Sequence, residues 1–217
     1  MPSIEQMRDY LLSIGMNARY LPTDVHTLAV MFFQKKRQID WLNHPRNTHL
    51  SDCFTESMRD KWEHVRLLLE TGASEIYRYL SSGVRRGRQD MMLNYDNIYH
   101  FHSIPMGEDR QNERLFVHIT EDSAYLLGEY PHHEEAKMPL RLLQLLYRNW
   151  PDLFECREGI SNLTEQQIIN IRSKNGNVYE FPLAPNIIGR LKDRGGVAPS
   201  GQSMLDLIRA DIICDNM

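Results

Sequence analysis

A change of period at Asn97 constrains this chain more than any other feature. Up to about residue 93, apolar side chains return every three or four residues, the spacing of helices with one buried face. From Asn97 the runs NIYHFHSI, RLFVHIT and SAYLLGEY are short, rich in β-branched and aromatic residues, and separated by polar stretches. That is the pattern of adjacent antiparallel strands. Helices and strands thus segregate along the sequence, which predicts an α+β fold with a helical N-terminal half, a small antiparallel sheet in the middle and C-terminal helices. The division that follows is a helical region 1–93 and an α+β region 94–217 carrying the histidine-bearing strands, as two units or as one continuous domain.

Local signals mark the elements. Ser3 is placed to cap a first helix that Gly15 ends, and Thr23 or Asp24 to cap a second that Asn43-His44-Pro45 stops. Phe54, Met58, Trp62, Val65 and Leu69 form the clearest helical stripe, a core face that needs no cofactor to explain it. Ser81-Ser82-Gly83 breaks the pattern. Glu121-Asp122 suits a tight hairpin between the second and third strands, while PMGEDRQNE is an exposed connection between the first and second. Beyond the strands, Leu140 to Trp150 reads as a buried helix ended by Pro151. Thr164 caps another, ended by Asn175-Gly176-Asn177. VYEFPLAP is an edge strand because Pro182 has no N–H to donate. RGGVAPSGQS is a loop, and MLDLIRADII a last amphipathic helix.

A chain of 217 residues can bury roughly 70% of its unfolded surface without staples, so neither disulfides nor metals are needed for folding. The three cysteines, Cys53, Cys156 and Cys214, are far apart and odd in number, which suits a reducing, cytoplasmic compartment. No secretory signal is legible at the N-terminus, and no window approaches the ~20 apolar residues of a membrane span. A net charge of −4 does not advertise nucleic-acid binding, although Arg85, Arg86 and Arg88 stand together in RRGR.

Histidines carry the chemical signal. Residues two apart on a strand share a face, so His100 and His102 project together, and antiparallel pairing can bring His118 beside them. Five of the nine histidines fall between positions 100 and 133, counting His132 and His133. Imidazole titrates near neutral pH and serves both acid–base catalysis and metal binding. The competing structural reading places the two histidines on the solvent face, with Tyr99 and Phe101 toward the core. No carboxylate stands at a fixed ligand spacing beside the HxH pair, so no cofactor is expected, and a metal-dependent hydrolase using His100, His102 and His118 is the lesser alternative. Arg110 and Arg114 flank the second strand and can present planar forks to phosphate, unless Glu108, Asp109 and Glu113 occupy them. Arg85 and Arg86 are further candidate substrate contacts. The glycine-rich Gly195–Gly201 loop matches no phosphate-binding fingerprint, and Ser200 lacks a nucleophile-elbow context.

The stretch IYHFHSI, a polar loop ending in DRQNERLFVHI, and SAYLLGEYPHH resemble the YafO-type members of the RelE-like mRNA interferase toxins. The likeness covers about residues 97–133; those toxins are about half this length and lack the helical front. The overall layout also looks like uncharacterised bacterial and phage-borne proteins. The toxin resemblance implies a toxin-like or phage-defence ribonuclease, a metal-independent hydrolase acting on RNA or the ribosome. His100, His102 and His118 would be its catalytic residues, and Arg110 and Arg114 its RNA contacts. The alternative is a non-catalytic regulator that binds a protein partner, such as an antitoxin, through its helical half.

Overall fold

A computed structural model of the chain describes residues 2–80, 96–105, 113–131, 139–174, 178, 180–192 and 204–215. The fold is α+β. α1 (Ile4–Ser13) opens on a reciprocal cap. Gln6 N donates to Ser3 Oγ at 3.2 Å, and Ser3 N donates to Gln6 Oε1 at 2.8 Å. α2 (Val25–Leu42) is capped by Asp24, and α3 (Glu56–Thr71) by Thr55. α3 ends at Gly72, whose φ of +64° is left-handed backbone. A Cβ there would stand 2.5 Å from Asn43 O and 2.7 Å from Pro45 N, so glycine is required both by conformation and by the approach of the α2–β1 connection.

Two sheets follow. The first has the order β1-β4-β3-β2, from β1 (Asn47–Leu50), β2 (Ile98–Phe101), β3 (Glu113–Ile119) and β4 (Ser123–Pro131). β2, β3 and β4 are antiparallel as expected, and the β3–β4 turn is tight, with Thr120 N donating to Ser123 O at 2.9 Å. The sheet is mixed, however, because β1 runs parallel to β4. Nothing in Asn47-Thr48-His49-Leu50 alternates apolar with polar, so this strand had no periodic signal. The second sheet, order β5-β7-β6, comprises β5 (Phe154–Glu158), β6 (Phe181–Ala184) and β7 (Ile187–Leu191). Pro182 lies on its edge strand, as its missing N–H requires. β5 and β7 were not legible. Four of the five β5 residues are exposed, and the pairing is dressed by ion pairs such as Arg190–Glu155 rather than by apolar alternation.

α4 (Pro139–Asn149), α5 (Glu165–Ser173) and α6 (Met204–Asp215) complete the described α-helices. Tyr99, Phe101, Leu115, Val117, Ile119 and Leu126 on one face of the first sheet join Trp62, Val65 and Leu69 of α3 in one core. Ile98, Phe116 and Leu127 on the opposite face join α4 and Phe154, Phe181 and Leu191 of the second sheet in another. A register shift between Phe116 and Val117 leaves Leu127 unmatched on β4, which sends Leu126 and Leu127 to different cores. A third core joins α1 and α2 to Ala210 and Ile213 of α6, with His26 and Asp211 3.0 Å apart on its surface. β1 and α6 therefore both reach across the expected 1–93/94–217 boundary. Among the described residues, no helix is long and apolar enough to cross a membrane.

Polar ties fasten α3 to the sheet. Lys61 Nζ lies 2.6 Å from Glu113 Oε2 and 2.9 Å from Glu129 Oε1, and Trp62 Nε1–H donates to Glu129 Oε2 at 2.6 Å. Hydrogen bonding and attraction from Lys61 hold the Glu113 carboxyl below its ordinary value of 4.5. A carboxylate with a depressed folded pKa stabilises the fold above its unfolded pKa, and that contribution fades as pH falls through the folded value. Stability should therefore drop more steeply below about pH 4.5 in the native chain than in Lys61→Met, measured as the urea midpoint between pH 3 and 6. Gly72→Ala should cost more than about 1 kcal/mol, because both φ and the backbone contact oppose it, as read in the same titration at neutral pH.

Candidate functional site

The β2–β3 register sets Ile98 opposite His118 and His100 opposite Phe116. His100 and His118 thus share one sheet face as diagonal neighbours, with Cα atoms about 7–8 Å apart. Arg114 is the other diagonal neighbour of His100 on that face. The common face of the expectation is present for these three, but it does not look onto water. His100 is 6% exposed, His118 1% and Arg114 2%, because α4, α5 and the second sheet cover it. The solvent-face reading of His100 is thereby corrected: Tyr99 and Phe101 do face a core, and the opposite face is a core as well. The unforeseen β5 and β7 are part of what buries it.

His118 is committed to a local frame. Its Nδ1 lies 2.9 Å from the main-chain oxygen of Asp96; a carbonyl only accepts, so Nδ1 carries the proton. The Asp96 carboxylate accepts two bonds from Arg172 of α5, at 2.6 and 2.8 Å, with both side chains 1% exposed. Arg172 also stacks 5.3 Å over the Phe181 ring of β6. Asn97, next in the chain, takes a left-handed φ of 52°, which asparagine tolerates, and its carbonyl accepts from Ile119 N at 3.1 Å. Asp96 and Asn97 therefore seat the start of β2 against β3 and tie both to α5 and the second sheet.

The other expected residues are placed less closely. His102 follows β2, half-buried, and its main-chain N–H donates to Tyr79 O at 2.8 Å. Arg114 Nη1 donates to the Glu113 carbonyl at 3.1 Å. Arg85, Arg86, Arg110, His132, His133 and the Gly195–Gly201 loop lie outside the described residues. Among the described residues, no group of three His, Cys, Asp or Glu side chains is positioned to hold a metal ion.

A surface groove that the residue pattern did not announce lies between α4, the end of β4 and the β6–β7 turn. It is open to solvent and has a volume of about 670 Å³. Leu145, Pro182 and Leu183 give it an apolar lining, Tyr130 and Tyr147 contribute rings, and Arg141 and Arg148 supply positive charge. The Arg141 guanidinium stacks 5.5 Å over Tyr130. Arg148 Nη2 donates to Asp52 Oδ1 at 2.6 Å and to Cys53 Sγ at 3.3 Å. Burial pushes the Tyr130 phenol above its ordinary value, so it is a neutral hydroxyl near pH 7. Glu165 holds the first turn of α4, accepting from Leu140 N at 2.9 Å and from Arg141 N at 2.6 Å. The signal for this groove was Arg141 and Arg148, seven residues apart and thus two turns along one helix face; the partner surface comes from β4 and β6.

Breaking a buried ion pair strands a charge, whereas replacing both partners by apolar side chains does not. Asp96→Ala should therefore destabilise by about 3–5 kcal/mol. Asp96→Leu combined with Arg172→Met should cost less than the sum of the two single changes, in a urea double-mutant cycle. Additive costs would deny the coupling. Comparison with protein-family models, with curated proteins and with solved structures finds no match for this chain.

Proposed function

We propose that this protein works by binding a partner, and that its strand histidines serve the fold rather than a reaction. The observation carrying this reading is the commitment of His118. Its Nδ1–H is spent on the Asp96 carbonyl, at 1% exposure, inside a frame that also buries the Asp96–Arg172 pair. A general acid or base must lie within hydrogen-bond reach of the substrate proton it moves, and a side chain enclosed between two layers offers no such approach. Buried polar groups tied across elements in this way hold layers in one register.

The ribonuclease is the second reading, favoured by one observation: His100, His118 and Arg114 do share a face, as acid–base chemistry beside a phosphate contact would need. It requires that face to open to RNA. The helical layer does not decide between the two readings, because single exposed apolar residues such as Leu12 and Tyr20 are ordinary on a protein surface.

Deleting residues 1–93 cannot separate the readings, since it removes β1 and the α3 side of the core. Expression of the native chain beside His100→Ala/His102→Ala in bacteria does. The binding reading expects intact ribosomal and messenger RNA and equal growth in both cultures. RNA cut by the native chain and spared by the variant would reverse the assignment in favour of the nuclease.

A further inference from the structure

We infer that the groove between α4, β4 and the β6–β7 turn is a binding site for a nucleoside phosphate. The inference rests on the binding reading above and supplies its ligand class.

The size is the first argument. A volume of about 670 Å³ falls within the range of small-molecule sites, roughly 300–1,000 Å³. The chemistry is divided as such a ligand demands. Leu145, Leu183 and Pro182 give an apolar floor for a planar base, Tyr130 and Tyr147 add aromatic edges, and Tyr130 adds a hydroxyl. Tyr147 is itself held by edge-on packing against Phe154 at 5.5 Å, and Tyr130 by the same contact with Phe116 at 5.8 Å. Their rings are thus preorganised by the core beneath.

Charge is the second argument. Arg148 is paired with Asp52, whereas Arg141 is exposed and its guanidinium forms no ion pair with a described residue. Stacking on Tyr130 holds the Arg141 fork in place while leaving its N–H edge available. A planar fork held in position is suited to bidentate contact with phosphate oxygens. A single carboxylate would use the fork but leave the apolar lining bare. A long polyanion would use the fork but leave the apolar floor bare.

Cys53 supplies an independent readout, because its exposed thiol lines the groove beside Arg148. Titration of the full chain with AMP, ADP, ATP and GTP by calorimetry tests the assignment, with adenosine, inorganic phosphate and a single-stranded oligonucleotide as comparison arms. At least one nucleoside phosphate should bind tenfold or more tightly than adenosine or phosphate alone. Arg141→Ala should weaken it at least tenfold without lowering Tm, and Arg19→Ala, in the segment between α1 and α2 and outside the groove lining, should bind as the native chain does. Bound nucleotide should slow alkylation of Cys53 and leave Cys214 unaffected. No binding of any nucleoside phosphate at millimolar concentration, undiminished binding by Arg141→Ala, or binding of the oligonucleotide alone would overturn the site. Those results leave the RNA-integrity experiment untouched, so the two proposals fail separately.

Discussion

The rest of the structure depends on a central sheet buried on both faces. Alternate residues of β2, β3 and β4 point in opposite directions, and here both directions end in packed apolar layers. A strand in that situation must be apolar at nearly every position or must satisfy its polar side chains internally. β2 is largely of the first kind: Ile98, Tyr99 and Phe101 are apolar, and His100 is the polar residue in the row. The same constraint accounts for the bulge at Leu127, which gives each core the side chain it needs from adjacent positions of β4.

Because two layers close over the sheet, polar groups inside must be paired, and they become the stitches between elements. Arg46 shows this on the helical side. Its buried guanidinium donates to the Leu42 and His44 carbonyls at the end of α2 and, through Nε, to Thr120 O of the β3–β4 turn at 2.8 Å. It stacks 5.0 Å over Trp41, and burial lowers its pKa from the usual arginine value. On the opposite side Asp96 and Arg172 do the same between β2 and α5. Carbonyls of helix ends and turns lack intrahelical or ladder partners, and a delocalised cation can answer several at once. The histidine frame belongs to this class of internal connector.

The groove is of a different kind. Its arginines stand at the rim of the layer that covers the sheet, where their cost of desolvation is small and their charge is available to a ligand. What links it to the rest is mechanical: Phe116, in the row between His100 and His118, also backs Tyr130. Sheet register thereby reaches the aromatic wall of the groove. The polar ties thus lie inside the layers, and the charge of the groove lies at their edge.

Much was legible from the chain alone. Capping residues at Ser3, Asp24 and Thr164, the Phe54–Leu69 stripe, the three strands after Asn97 and the Pro182 edge strand all report local chemistry. A hydroxyl or carboxylate satisfying a helix N-terminus and a side chain alternating across a pleat act within a few residues, so they are written in the order of the residues. β1, β5 and β7 were not, because their pairing is supplied by distant strands and their own residues carry little apolar alternation. The common face of His100, Arg114 and His118 followed from spacing once a register was assumed. Whether that face met water or a second layer did not, since burial depends on what arrives from residues 139–191. Tertiary structure alone decided that the face of His100 and His118 is buried and that Arg141, Arg148, Tyr130 and Cys53, scattered over nearly one hundred residues, came to line one hollow, because long-range packing joins surfaces that no local period encodes.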